Sequence, residues 1–218
     1  MPAASRQPAP ARTGGDRRAQ IAAAAARLFA EKGYAETSMR DIAAAVGMGL
    51  GAMYYHIESK EDLLAQIHEE YVGSIVVELE RICARDMPAV DALYAAGELM
   101  MRHLHTYRDH MVAFFTEQRR IQGDRFAAVA ARRRDFERLL EGLLRRGVDE
   151  GSLREHDVRL TALAILGMFN YGHQWYRPDG RLTPEEIGRG FIDLVLRGAG
   201  TAADPGLSAP GRRRRAAR

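Results

Sequence analysis

The chain has 218 residues, 46% of them hydrophobic, enough for one large or two small domains with a real core. Alternating Val, Ile, Thr and Tyr runs are absent, which predicts an all-α protein, and the lone Cys83 excludes an intrachain disulfide and a cysteine-rich zinc site. Of the net charge of +3, the first 15 residues carry +2 and the last 18 carry +4, so the body between them is −3 and net charge alone does not argue for nucleic-acid binding by the folded part.

The N-terminal MPAASRQPAPARTGG lacks the apolar stretch of a signal peptide, and the longest apolar run, 160–172, is too short to span a bilayer. A soluble cytoplasmic chain without membrane association is expected. Residues 1–15 read as a disordered tail. A first helix opens at Asp16, buries Ile21, Ala24, Ala25, Leu28 and Phe29, and stops at Gly33. Ser38, with Asp41 three residues on, caps a short second helix carrying Met39, Ile42, Ala43 and Val46. Gly47 and Gly49 break the chain before a third short helix over 50–57. Ser59 caps a long fourth helix from Lys60 to about 85. Further helices fit 88–107, 109–121, 124–150, 156–176 and 184–198, making about nine. Thr183 and Pro184 open the last one. Residues 200–218, ending RRRRAAR, read as a basic disordered tail, either a solvated charge run or a nonspecific attractor of phosphate.

Two short helices separated by glycine need tertiary support, because short helices are marginal alone. A helix-turn-helix over 37–56, within a head spanning 16–62, provides it. Ala43 suits the close crossing, Gly47 the turn, and Met53 and Ile57 the core. LFAEKGYAETSMRDIA and VGMGLGAMYYHIESKEDLL, correctly spaced within Ala19–Leu64, resemble the DNA-binding domain of the TetR family of transcriptional repressors. The resemblance implies phosphate contacts from Thr37, Tyr54 and Lys60, helped by helix starts such as that at Ser38. It implies base-facing positions at Gly51, Ala52, Tyr55 and His56, with Arg40 reaching phosphate or base. Two positions depart from the family pattern: Gly49 stands where Ser is usual, and Leu50 where a basic residue is frequent. Direct readout then leans on Tyr55, His56 and apolar contact. Alternatively Leu50, Met53, Tyr54 and Ile57 form one buried stripe.

A body over 63–199 has to hold two heads roughly 34 Å apart on operator DNA, which calls for a homodimer. LTALAILGMFNYGHQWY is apolar nearly all round. Its Ala162, Ile165 and Phe169, with Ile187, Phe191 and Leu194 of the last helix, are the expected dimer seam; the alternative is burial within one monomer. Met111, Phe114, Phe115, Met168, Tyr171 and Trp175 are candidates to line a small-molecule pocket, or simply core. FFTEQRRIQGDRF and GMFNYGHQWYRPDGRLTPEEIGRGFIDLVLRGA resemble the TetR-type repressors of lipid, steroid or aromatic-acid degradation that sense acyl-CoA thioesters. That resemblance implies Arg119, Arg120 and Arg177 as phosphate ligands, unless Glu117 and Asp124 pair with them on the surface. His103, His105 and His110 lack the geometry and carboxylate of a metal site. No nucleophile elbow, phosphate loop or dinucleotide fingerprint is present, so neither a cofactor nor an enzymatic activity is expected. The expected function is an effector-released repressor. A helical scaffold without specific readout and a bundle enzyme are the rivals.

Overall fold

The computed structural model describes residues 14–199. Residues 200–218 and all but the last two residues of the expected N-terminal tail lie outside the described residues. Those two, Gly14 and Gly15, open the first helix. The described chain is helical without a strand: α1 (Gly14–Lys32), α2 (Met39–Ala45), α3 (Leu50–Tyr54), α4 (Lys60–Cys83), α5 (Ala89–Thr106), α6 (Arg108–Glu117), α7 (Gly123–Asp149), α8 (Val158–Asn170), α9 (Gly172–Trp175) and α10 (Pro184–Ala199). A single 3-10 turn, Gln118–Arg120, joins α6 to α7. The helix expected over 156–176 is therefore broken at Tyr171. Gly172 is buried there against Leu104 of α5, so closely that a side chain would collide with it.

Two apolar clusters organise the molecule. The first gathers Ile21, Ala25, Phe29 and Tyr34 from α1 and its loop with Ile42, Ala43, Met53 and Ile57. It does not end at residue 62: Leu63, Leu64 and Ile67 of α4 belong to it, as do Ala113 and Phe114 of α6. Head and body thus share a core. The second cluster fills the body between α4, α5, α7, α8 and α10. There α5 and α10 cross at Gly97 and Gly188 so tightly that a β-carbon on Gly188 would land on the Gly97 carbonyl oxygen. Glycine at both positions lets the backbones touch. Among the described residues no helix is long and apolar enough to cross a membrane.

Candidate nucleic-acid interface and interior cavity

The entry to α2 is built locally. The Ser38 N–H and hydroxyl donate to one Asp41 carboxylate oxygen at 2.8 and 2.7 Å, and the Asp41 N–H returns a bond to Ser38 Oγ at 3.2 Å. This complete capping box satisfies the helix start and holds the Asp41 carboxyl below its usual range, chiefly through the Ser38 hydroxyl. The exit is a Schellman turn. Gly47 sits at φ +67°, its N–H reaches the Ala44 carbonyl at 3.1 Å, and the Met48 N–H reaches the Ala43 carbonyl at 2.8 Å. The left-handed conformation that re-aims the chain toward α3 suits glycine.

α3 is short. Its N-cap, Gly49, offers no side-chain cap, and it ends at Tyr54, so Tyr55 and His56 lie in the turn beyond it rather than in a helix reaching 57. Met53 and Ile57 are fully buried and pin it to the head. Leu50 is half-buried and packs on the head core, so it follows the stripe of Met53 and Ile57 rather than standing free. Tyr54 does not join that stripe, being half exposed. Gly51 and Ala52 are exposed, Tyr55 is 87% exposed, and its ring meets the half-buried His56 edge-on at 5.3 Å. The outward surface is therefore small residues flanked by two tyrosines, with Arg40 and Ser38 exposed nearby on α2.

Two expected phosphate ligands are engaged within the protein. Thr37 is 1% exposed, and its hydroxyl is shared between the carbonyls of Gly33 at 2.8 Å and Leu28 at 3.3 Å. Buried there, it closes the end of α1 onto the loop with its hydroxyl turned inward, unlike the exposed phosphate contact the resemblance implies. Lys60 donates to the carbonyls of Tyr34 at 2.6 Å and Thr37 at 2.8 Å, with its ammonium 4.2 Å from the Tyr34 ring centre. Two of its three N–H bonds thus clamp the loop before α2. The Tyr34 hydroxyl donates to Glu61 at 2.9 Å. Burial, followed by that bond, raises the phenol well above its usual range.

Behind the head, α4, α5, α6, α7 and α8 line a cavity of about 60 Å³ that is partly open to solvent. It is lined mainly by apolar and aromatic groups, with the polar side chains of His68, Tyr71, Arg133, Glu137 and Asn170. Of the expected ligand residues only Phe114 and Phe115 face it. Met111 is buried in the body core and Met168 packs half-buried against it. Tyr171 and Trp175 are surface residues, the indole standing edge-on to Phe191 at 5.9 Å. Arg119, Arg120 and Arg177 are exposed and off the lining; Arg120 pairs with Glu117 at 2.6 Å, the surface pairing that was the alternative for it. The polar lining escaped sequence reasoning because it comes from α4, α7 and α8, far apart in the chain.

His68 is 1% exposed, and neither ring nitrogen has a hydrogen-bond partner in the protein. Its ring packs on Phe114 at 4.3 Å between centres. Burial, helped by the Arg133 charge, lowers its pKa from 6.5 to about 4, so the imidazole is neutral at pH 7. The other histidines disperse. His103 lies 3.0 Å from Ser74 Oγ, His105 lies 2.7 Å from the Tyr176 hydroxyl, and His110 lies 3.5 Å from Glu70. Among the described residues no three His, Cys, Asp or Glu side chains could hold a metal ion together.

The residues expected at a dimer seam mostly face inward. Ala162, Ile165 and Phe169 are all buried in their own body core, and Ile187 and Phe191 are half-buried against it. The outward face of α8 instead carries Leu160 (64% exposed), Leu163 and Gly167, continued at helical spacing by Tyr171 just past its end, and Leu194 of α10 is likewise 64% exposed. Several large apolar side chains are thus left exposed on these two helices.

A helix-turn-helix head fused through a shared core to a helical body with an interior cavity defines a class of DNA-binding regulators. Residues 21–67 match the family described as bacterial regulatory proteins, tetR family, and residues 86–199 match the tetracyclin repressor-like C-terminal domain. The chain belongs to the TetR family. It is 29% identical over 193 residues to the HTH-type transcriptional repressor KstR2 of Rhodococcus jostii, covering 84% of this chain and 90% of that one. The solved PfmR regulator of Thermus thermophilus superposes with a TM-score of 0.76 at 35% identity, covering 81% and 97% of the two chains. The structure of AibR with isovaleryl coenzyme A and operator DNA superposes with a TM-score of 0.72 at 29% identity, covering 82% and 97%.

Proposed function

We propose that this chain is a homodimeric transcriptional repressor that an acyl-CoA thioester releases from its operator. One observation carries the effector part of this reading: Phe114 lines the cavity and also sits in the core of the DNA-reading head. A molecule that spreads the cavity at Phe114 moves a side chain on which the head is packed. At about 60 Å³ the cavity has the volume of roughly two waters, far below the 300–1,000 Å³ or so that a drug-sized ligand fills. This contracted arrangement is thus the low-affinity one, and an effector favours a widened cavity. That difference in affinity is what shifts the equilibrium away from the DNA-competent state. Arg133, at the rim, is exposed and makes no ion pair among the described residues, so it takes over the phosphate-holding role expected of Arg119, Arg120 and Arg177.

The dimer forms through the outer faces of α8 and α10, where Leu160, Leu163, Tyr171 and Leu194 bury against their symmetry mates. Each subunit then presents Gly51, Ala52, Tyr55 and His56 to one major groove, with Tyr54, Arg40 and the α2 start on the flanking phosphates. AibR, solved with isovaleryl coenzyme A and operator DNA, and KstR2, a repressor, support this reading by similarity.

The test is a gel shift on the DNA upstream of the protein's own gene, titrated with isovaleryl-CoA, longer acyl-CoAs, the free acids and coenzyme A. A discrete complex dissolved by an acyl-CoA, and by neither the acid nor coenzyme A alone, is expected. Insensitivity to every acyl-CoA would remove the effector assignment. The uncapped five-residue α3 favours one second reading, a helical scaffold that binds DNA without sequence readout. Under that reading footprinting gives uniform protection that vanishes with salt.

A further inference from the structure

The cavity contains a group that the protein itself leaves unused. Buried polar side chains are normally hydrogen-bonded; His110 Nε2 has no hydrogen bond but faces Glu70 at 3.5 Å, and Thr37, with two carbonyls, and His103, with Ser74, follow the rule. His68 does not: it is 1% exposed, lines the cavity, and offers both ring nitrogens without a protein partner. Retaining an unpaired polar ring in an apolar wall costs stability that phenylalanine or leucine would not. A position of that kind is expected where the missing partner is a ligand.

We propose that His68 is the specificity-determining residue of this cavity, its imidazole N–H donating a hydrogen bond to a carbonyl oxygen on the buried, otherwise apolar part of an effector. The inference rests on the proposed function, that the cavity takes an effector, and it deepens that reading by naming the functional group recognised at depth. Burial keeps the ring uncharged at neutral pH, so it has one N–H donor and one acceptor and no charge with which to balance a carboxylate. The titratable groups sharing its cavity are Tyr71, Arg133 and Glu137. Arg133 is the cation among them and is exposed at the rim. The arrangement therefore sorts an effector by depth, with anionic groups outside on Arg133 and a neutral acceptor inside on His68. A thioester of coenzyme A has that order of groups. The position also couples recognition to DNA. Leu63, Leu64 and Ile67, immediately before His68 on α4, lie in the head core, and the His68 ring packs on Phe114 of that same core. A bond that pulls or turns this ring acts on the helix that carries the head.

The experiment compares carbonyl compounds with partners lacking the oxygen: isovaleryl-CoA against the isopentyl thioether of coenzyme A, and isobutyl methyl ketone against the alkene with a methylene in place of the oxygen. Binding is measured calorimetrically on the full chain, with the ring nitrogens of labelled histidine followed by NMR. Wild type should prefer each carbonyl compound by about tenfold, the worth of one buried hydrogen bond, and the His68 ring signal should move only with those compounds. His68→Leu should erase the preference, and His68→Gln, which keeps a donor and an acceptor, should restore part of it. The wild-type NMR arm holds even if the leucine variant misfolds. Equal binding within each pair, or a preference that survives in His68→Leu, overturns the inference while leaving an acyl-CoA effector intact. Ketone recognition dependent on His68, with isovaleryl-CoA not bound, upholds the inference and removes the acyl-CoA assignment. If no carbonyl compound binds, both fall.

Discussion

Acidification should destabilise this protein through His68, by an amount that can be worked out in advance. Unfolded, the ring takes up its proton near pH 6.5; folded, burial delays this until about pH 4. Between those values the unfolded chain binds more protons, so stability falls as the pH falls through that window and is fully retained above it. From pH 8 to pH 5 the loss from this one group is about 2 kcal/mol, or roughly 4–8 °C in Tm for a chain of this size. Other groups titrate as well, so the quantity to read is the difference between wild type and His68→Leu. At pH 8 the leucine variant should be the more stable by about 1–3 kcal/mol, because an unpaired buried ring has been replaced by an apolar side chain. At pH 5 the gap should widen by the further 2 kcal/mol or so. Thermal melts followed by helical circular dichroism, at equal protein concentration and without effector, give both numbers. A gap that is the same at pH 5 and pH 8 would refute the claim that the ring is buried and neutral. A leucine variant less stable than wild type at pH 8 would refute the claim that the ring is unpaired.

Three further outcomes are expected. Tyr55→Ala should lower affinity for the operator and leave affinity for random DNA unchanged in an anisotropy titration, because the ring is almost wholly exposed and supports nothing in the head; equal loss on both DNAs would remove it from base reading. Leu163→Glu should yield a folded monomer by sedimentation equilibrium, whereas Ile165→Glu should unfold the body, since Leu163 faces outward and Ile165 is completely buried; a dimeric Leu163→Glu protein would move the seam elsewhere. Gly47→Ala should lower stability by about 1 kcal/mol, or a Tm shift of roughly 2–4 °C, because an alanine at φ +67° is strained even though nothing lies near enough to clash with its methyl group; an unchanged Tm would contradict the Schellman geometry.

The head was legible because its instructions are local. Ser38 and Asp41 lie within one helical turn, Gly33 and Gly47 end their helices at positive φ, and Met53 and Ile57 share a face. The expected bounds of most helices fall close to those observed for the same reason: caps and breakers act over three or four residues. Thr37 and Lys60 lie at the loop before α2 as expected, but their partners within the protein could not be read from spacing. Their hydroxyl and ammonium groups meet the carbonyls of Leu28, Gly33 and Tyr34 only once α1 and α4 converge.

The body shows where sequence reasoning stops. α8 is apolar on nearly every side, so its pattern places it in the interior without saying which stripe faces inward. Ala162, Ile165 and Phe169 form one stripe, and Leu160, Leu163 and Tyr171 another. Only the packing against α7 and α10 sets the rotation that buries the first and exposes the second. The cavity is nonlocal in the same sense: Phe114 and Phe115 were conspicuous as adjacent aromatics, while His68, Arg133 and Asn170 come from three helices and look ordinary in each. The sequence by itself determined the all-helical class, the helix-turn-helix and its caps, because these depend on neighbours within a turn. Tertiary structure alone decided which apolar face of α8 is exposed and that His68 is left unpaired in a cavity. Burial and hydrogen-bond satisfaction belong to the packed environment, not to a residue's type or its spacing along the chain.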